Sequence, residues 1–263
     1  MNTLSSRDGT TIAYDKRGQG PALILVDGAL TVHSSGSGAE LARLLAPGFT
    51  VYGFDRRGRG ESGDTPPYAV DREIDDIEAL IDHAGGSAFL YGHSSGGPLA
   101  MRAAIRLGSK VSKIALYEAP YNNDPGAQES WSQYLGQLSG ALAEGRRGDA
   151  VALFMGFVGT PAEQIDSMRR APFWPALEAV APTLAYDHAA ILGERWSVPT
   201  ELAARVCVPA LVMAGDAGLP FMPDAARTLS QAIPHGQLRM LEGQTHAVNP
   251  GVLAPVLAAF LTS

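Results

Sequence analysis

The chain has 263 residues, 46% hydrophobic and 18% charged. That is the composition of one globular domain with room for an inserted subdomain. Its formal net charge of −7, from 27 acidic and 20 basic side chains, gives no electrostatic case for nucleic acid or an anionic membrane. No apolar run approaches the ~18 residues of a membrane span. The stretch MNTLSSRDGTTIAYDKRG lacks the basic and apolar regions of a signal peptide. The one cysteine, Cys207, cannot close an internal disulfide and reads as a buried thiol, so the cytoplasm is the expected compartment.

In chain order, Thr11 to Tyr14 reads as a strand after the Asp8-Gly9 turn signal. Pro21 to Val26 (PALILV) is a continuous apolar run of the kind found in buried parallel strands, and it ends in Asp27-Gly28-Ala29. Thr31 to Gly38 is Ser/Gly-rich and predicts a loop; Ala39 to Leu45 predicts a short helix stopped by Pro47-Gly48. Phe49 to Phe54 is the next strand and runs into Asp55-Arg56-Arg57-Gly58-Arg59-Gly60-Glu61-Ser62. This segment reads as a tight structural loop whose arginines are solvated or paired with carboxylates. Val70, Ile74, Ile77 and Ile81 mark an amphipathic helix closed by Gly85-Gly86. Strands follow at Ala88 to Tyr91 and Val111 to Tyr117, with a helix between them. This alternation predicts a mostly parallel sheet with helices on both faces.

Residues 121–200 break the rhythm. They hold Trp131, Trp174 and Trp196, several prolines, and helix-like stretches near 128–144 and 147–157. The segment is expected to be a helical cap over the strand ends, dividing the chain into a core of 1–120 and 201–263 and a cap of 121–200. Alternation resumes with a strand at Ala210 to Gly215, a helix at 222–232, a strand at Gln237 to Leu241, a loop through His246, and a final helix at Val252 to Leu261.

The most informative stretch is the strand at 88–91, then Gly92-His93-Ser94-Ser95-Gly96, then a helix with Leu99, Ala103 and Leu107 at helical spacing. Strand, G-x-S-x-G and helix in that order make a nucleophile elbow. Its glycines let strand and helix approach, so Ser94 projects beside a helix N-terminus that favours a developing anion. A serine hydroxyl needs an imidazole to take its proton, and the imidazole needs a carboxylate. His246, on the loop after the last strand, sits at the sheet edge where open α/β sheets build their sites. The other histidines read differently: His93 points the other way along the chain, His83 ends a helix, His188 lies in the cap, His235 lies in a Pro-His-Gly turn, and His33 lies on a loop near the pocket. Two carboxylates stand at strand ends between Ser94 and His246 in sequence, Glu118 and Asp216.

Together, Val26-Asp27-Gly28-Ala29, Asp55 with Gly58-Arg59-Gly60-Glu61-Ser62, the Ser94 elbow and Gly243-Gln244-Thr245-His246 resemble the α/β-hydrolase superfamily over essentially the whole chain. The resemblance implies a mostly parallel central sheet flanked by helices, with a helical cap inserted after the sixth strand. Most members place the acid three residues beyond the glycine after the penultimate strand; here that position is Gly218. The zearalenone lactonases place it one strand earlier. Asp27-Gly28, Ser94-Ser95-Gly96 and Glu118 resemble that group, which favours Glu118 over Asp216. The fold's oxyanion hole implies the N–H of Ser95 and that of Gly28 or Ala29.

For the cap, Phe173, Trp174, Leu177, Val180, Leu184 and Tyr186 form a cluster suited to roofing an apolar pocket. Trp174, His33 and Tyr121 are the candidates for substrate contact. The expected activity is serine hydrolysis of a carboxylic ester or lactone of a small, largely apolar molecule. C–C or thioester cleavage on the same triad, or a ligand receptor with little turnover, stand as alternatives. No His/Cys/Asp cluster has metal-ligand spacing, so no cofactor is expected. The expected partner is a small-molecule substrate, with neither nucleic acid nor membrane, and a homodimer is the assembly considered.

Overall fold

The computed structural model describes residues 1–33 and 37–263; the middle of the Ser/Gly-rich loop anticipated at 31–38 lies outside them. Among the described residues, eight strands form one sheet in the order β1-β2-β4-β3-β5-β6-β7-β8. They are β1 (Asn2–Ser5), β2 (Thr11–Arg17), β3 (Ala22–Val26), β4 (Thr50–Phe54), β5 (Ala88–His93), β6 (Val111–Tyr117), β7 (Ala210–Gly215) and β8 (Gly236–Leu241). β1 and β2 pair antiparallel at one edge, and β4 onward is parallel. The sequence reading omitted β1 because this four-residue edge strand is mostly exposed and carries no apolar run.

β3 and β7 are buried at every position, as their unbroken apolar runs require when helices cover both faces. One face packs on α1 (Ser37–Leu45) and α10 (Pro250–Thr262), through Leu41, Leu45, Leu253 and Leu257. The other packs on α2 (Val70–His83), α3 (Gly96–Leu107) and α9 (Phe221–Ala232), through Ile77, Leu80, Leu99, Ala103 and Leu229. The chain leaves β3 toward β4 on one side and returns to β5 on the other. This reversal opens a crevice at the carboxyl ends of β3 and β5, the place where ligands bind in open α/β sheets.

Between β6 and β7 the chain forms α4 (Ala127–Ala143), α5 (Arg147–Phe157), α6 (Ala162–Arg169), α7 (Trp174–Val180), a π-helical turn over Tyr186–Leu192 and α8 (Thr200–Ala203). The rings of Trp131 and Trp196 stack at 4.9 Å, and those of Tyr134 and Phe157 at 4.4 Å. One expectation needs correction. Cys207 is exposed, because Val206 points into the core and its neighbour at 207 faces outward before β7 begins. Of the two readings open for the arginines of the 55–62 loop, pairing with carboxylates is the one the structure bears out. Arg56, Arg57 and Arg59 are buried, and each is paired with buried carboxylates.

Candidate active site

Ser94 follows β5 directly, and its φ of +56° lies in the left-handed region, a conformation that costs a non-glycine residue about 1 kcal/mol or more. The surroundings hold it there. Its N–H donates to Tyr117 O at 3.0 Å, continuing the β5–β6 ladder one residue past the strand. A Cβ at Gly96 would collide with the carbonyl oxygen of Val26, so the first turn of α3 lies against β3 only because that residue is glycine. Gly28 meets the serine from the other side: a Cβ there would stand 2.7 Å from Ser94 Cβ. The Ser95 N–H belongs to the start of α3, where intrahelical acceptors are lacking.

Glu118 follows β6 in the same manner, with φ +46° and its N–H bonded to Met213 O at 2.9 Å. Its carboxylate is fully buried and held at both oxygens. Oε1 accepts from Gly215 N–H at 3.0 Å, and Oε2 lies 2.7 Å from His246 Nδ1. The imidazole therefore presents Nε2 as its remaining nitrogen. Tyr117 Oη donates to Thr245 O at 2.7 Å, anchoring the loop that carries His246. Asp216, the other carboxylate weighed, is exposed and accepts from Gly243 N–H at 2.7 Å; it braces that loop and does not touch the histidine. Gly218 lies beside the pair. A Cβ at this position would be 3.5 Å from His246 N and 3.6 Å from Glu118 Oε1, so a larger side chain at 218 would crowd the glutamate against the histidine.

His93 has a part the sequence reading missed. Its ring packs on that of His246 with centroids 4.8 Å apart, and its Nε2–H donates to the His246 carbonyl oxygen at 3.0 Å. Burial, together with the neighbouring His246, holds its pKa down at about 3. His93 is thus a neutral donor that fixes the backbone of the histidine loop. Its position inside G-x-S-x-G was the available signal.

A cavity of about 680 Å³ lies over these strand ends, lined by Ser94, Ser95, His246, Gly28 and Ala29. The segment after β6 completes its wall with Trp131, Phe154, Phe157 and His188 from its helices and Trp196 from the loop before α8, and Phe221 and Met222 close it beside β7. The wall is apolar over most of its area, and the serine and imidazole face into it from one end.

The three residues proposed for substrate contact lie elsewhere. Trp174 is buried within the inserted helices, its Nε1–H donating to Glu178 Oε1 one turn on and Arg169 lying over its ring. Tyr121 is buried in the core beneath the turn that follows Glu118. His33 is pinned between two carboxylates, Nδ1 at 2.9 Å from Asp55 and Nε2 at 3.2 Å from Asp15. The Phe173–Tyr186 cluster does not roof the cavity either. Phe173 is half exposed, Val180 and Leu184 are core, and Tyr186 stacks on Tyr68 at 3.8 Å.

A buried ionic cluster underlies the Asp27–Ala29 loop. Asp187, from the π-helical turn, receives Arg56 Nη1 at 2.6 Å, Arg59 Nη2 at 2.6 Å and Ser95 Oγ at 2.8 Å. The same arginines donate to the carbonyl oxygens of that loop, Arg56 to Asp27 at 3.2 Å and Arg59 to Gly28. Burial alone would raise the Asp187 pKa, but Arg56 and Arg59 overcome it and hold the group at about 2. Asp27 stands in the opposite balance: burial outweighs Arg59 and Arg56 and pushes it up to about 6.

A family model for the alpha/beta hydrolase fold matches residues 21–250. The chain belongs to the α/β-hydrolase family. It is similar to an alpha/beta hydrolase from Sphaerobacter thermophilus, with 46% identity and a TM-score of 0.86 over 99% of this chain and 100% of the other. It shares its fold with the enol-lactonase from Burkholderia xenovorans, at 24% identity and a TM-score of 0.72 with both chains fully covered. Among curated sequences, the proline iminopeptidase PfmaB of Pestalotiopsis fici is 23% identical over 257 residues, 92% of each chain.

Proposed function

We propose that this α/β-hydrolase is a serine enzyme that cleaves a carboxylic ester or lactone of a small, largely apolar molecule through an acyl-enzyme. One observation carries the reading. A serine in a left-handed turn and a histidine bonded through Nδ1 to a buried glutamate line the same apolar cavity. In this reading His246 Nε2 takes the proton of Ser94 as Oγ attacks the carbonyl carbon, and Glu118 stabilises the imidazolium. The oxyanion of the tetrahedral intermediate is held by the N–H of Ser95 and that of Gly28 or Ala29. Collapse expels the alcohol, which takes its proton from His246; water, activated by the same imidazole, then releases the acid. The helices of 121–200 serve as a cap whose aromatic side chains receive the apolar body of the substrate. Lactones join linear esters as candidates partly because one structural neighbour is described as an enol-lactonase.

The test is acid release by the purified protein on a panel of esters and lactones, with Ser94→Ala beside it. Turnover should fall at least about a thousandfold in the variant while its circular dichroism stays that of the wild type. A folded Ser94→Ala protein that retained activity would overturn the mechanism.

A further inference from the structure

Within the aromatic wall of the cavity one polar side chain has an unspent hydrogen-bonding group. His188 is 5% exposed, lines the cavity, and is enclosed by Trp131, Tyr134 and Phe154. Its Nδ1 lies 2.8 Å from Tyr134 Oη. The direction of that bond follows from what surrounds the phenol. Were the imidazole the donor, the buried tyrosine O–H would need an acceptor, and among the described residues none is bonded to it. A phenol O–H that donates to Nδ1 satisfies both groups and leaves the proton on Nε2. No protein group among the described residues accepts from that Nε2–H, so the cavity is where its partner must sit. Nε2 is accessible from the cavity, so a substrate body that displaces solvent there must offer an acceptor in its place or leave the donor unpaired, at a cost of about 1–3 kcal/mol.

We infer that His188 is a specificity-determining residue: its Nε2–H receives a neutral oxygen acceptor carried by the substrate away from the scissile carbonyl. The substrate class is thereby narrowed to esters or lactones whose apolar body bears a ketone, ether, second ester or phenol oxygen. This inference rests on the reading of Ser94 as the nucleophile of ester cleavage. Burial keeps the ring neutral, with its pKa down at about 4. A carboxylate on the substrate would have to enter an apolar wall without a countercharge there, so a neutral oxygen is the better fit. The π-helical turn gives the arrangement its geometry, for it turns Asp187 toward the arginines and the adjacent His188 toward the cavity. Such turns recur at functional sites.

The experiment uses matched medium-chain esters in which one methylene is replaced by a keto group, walked along the acyl chain in one series and along the alcohol in another. A third series carries a terminal carboxylate. For each protein the reading is the ratio of kcat/KM for the keto ester to that for its methylene parent, a ratio unaffected by the fraction of protein folded. The wild type should favour one keto position by about tenfold and reject the carboxylates. His188→Phe should bring the ratio near one, and His188→Gln, which keeps a donor, should retain part of it. The same esters are titrated calorimetrically into Ser94→Ala. A keto preference in binding that His188→Phe abolishes, alongside no hydrolysis by the wild type, would sustain this inference and sink the proposed activity. An active enzyme without a keto preference in either series would overturn the inference, as would a preference that survives His188→Phe. Absence of any preference in both hydrolysis and binding would overturn it too.

Discussion

Two regions make the cavity, and they are built by different rules. The strand-end half uses backbone. Ser94 and Glu118 both stand one residue past a strand with positive φ, each tied to its neighbour strand by an N–H bond, and His246 is clasped through Glu118, Tyr117 and His93. The helical half uses side-chain surface: Trp131, Phe154, Phe157 and Trp196 supply ring faces, and one histidine supplies a donor. Backbone ladders fix positions to a fraction of an ångström, whereas packed rings fix shape and leave composition free to vary. Chemistry is expected to reside in the first half and selectivity in the second, and substitutions in each should separate in kcat and KM.

The largest effect after loss of Ser94 should come from Glu118→Gln. The amide leaves the packing nearly unchanged but no longer favours the imidazolium or its tautomer, and kcat should fall by about a thousandfold to ten-thousandfold. Asp216→Asn, which bears only on the bracing of the loop, should stay within about twofold. Equal losses in the two variants would break the assignment of Glu118 as the partner of His246.

Much of the strand-end half was legible in the sequence because its geometry is written in short range. Apolar runs give the strands, the strand–turn–helix order gives the elbow, and Gly28, Ser95 and His246 lie at run ends where a parallel sheet gathers them. Glu118 and Asp216 could not be separated from the residues alone, since either reaches the same edge; what distinguishes them is that β6 lies between β5 and β7 and that Gly218 leaves room. The helical half was legible as helices but not as a surface. Helical periodicity says which face of a segment is apolar, not whether that face meets other helices or an open space. So Trp174 and the Phe173–Tyr186 cluster were as eligible as Trp131, Phe157 and Trp196, and only the packing shows that the latter line the cavity. Which carboxylate the arginines of the 55–62 loop meet was hidden for a related reason: Asp187 lies 131 positions from Arg56.

The next effect concerns stability and should localise to the strand-end half. The Asp27 carboxyl is pushed up to about 6 by burial, against an unfolded value near 4. A raised pKa means the native state holds this proton more tightly than the unfolded chain. The associated stabilisation is complete below about pH 4 and is lost as pH rises through about 6, a change of roughly 2–3 kcal/mol from this one group. Asp27→Asn, which does not ionise, should remove that component. Urea unfolding of the two proteins at both ends of the window reads it directly. Parallel pH slopes would show that Asp27 ionises in the fold as it does in the unfolded chain.

The smallest effect tests the helical half. Phe157→Ala removes one ring from the cavity wall and should raise KM for an apolar ester by about threefold to tenfold with kcat within about twofold. The change should be smaller for a short acyl ester than for a long one. A fall in kcat at constant KM would blur the division drawn between the two halves.

The ionic cluster at Asp187 carries a consequence for engineering. Loop grafting and cap exchange treat the insertion of an α/β-hydrolase as a cartridge that can be lifted from one scaffold and seated in another. Here the cartridge supplies the carboxylate that bridges two guanidinium groups sealed inside the scaffold. Lifting it out would leave Arg59 without its only carboxylate partner among the described residues and Arg56 with Glu73 alone, a defect worth about 3–5 kcal/mol. It would also leave the arginines that hold the Asp27 and Gly28 carbonyls without the acid that anchors them both. Any chimera built on this scaffold must bring an acid to the place of Asp187, or replace both arginines along with the helices inserted between β6 and β7.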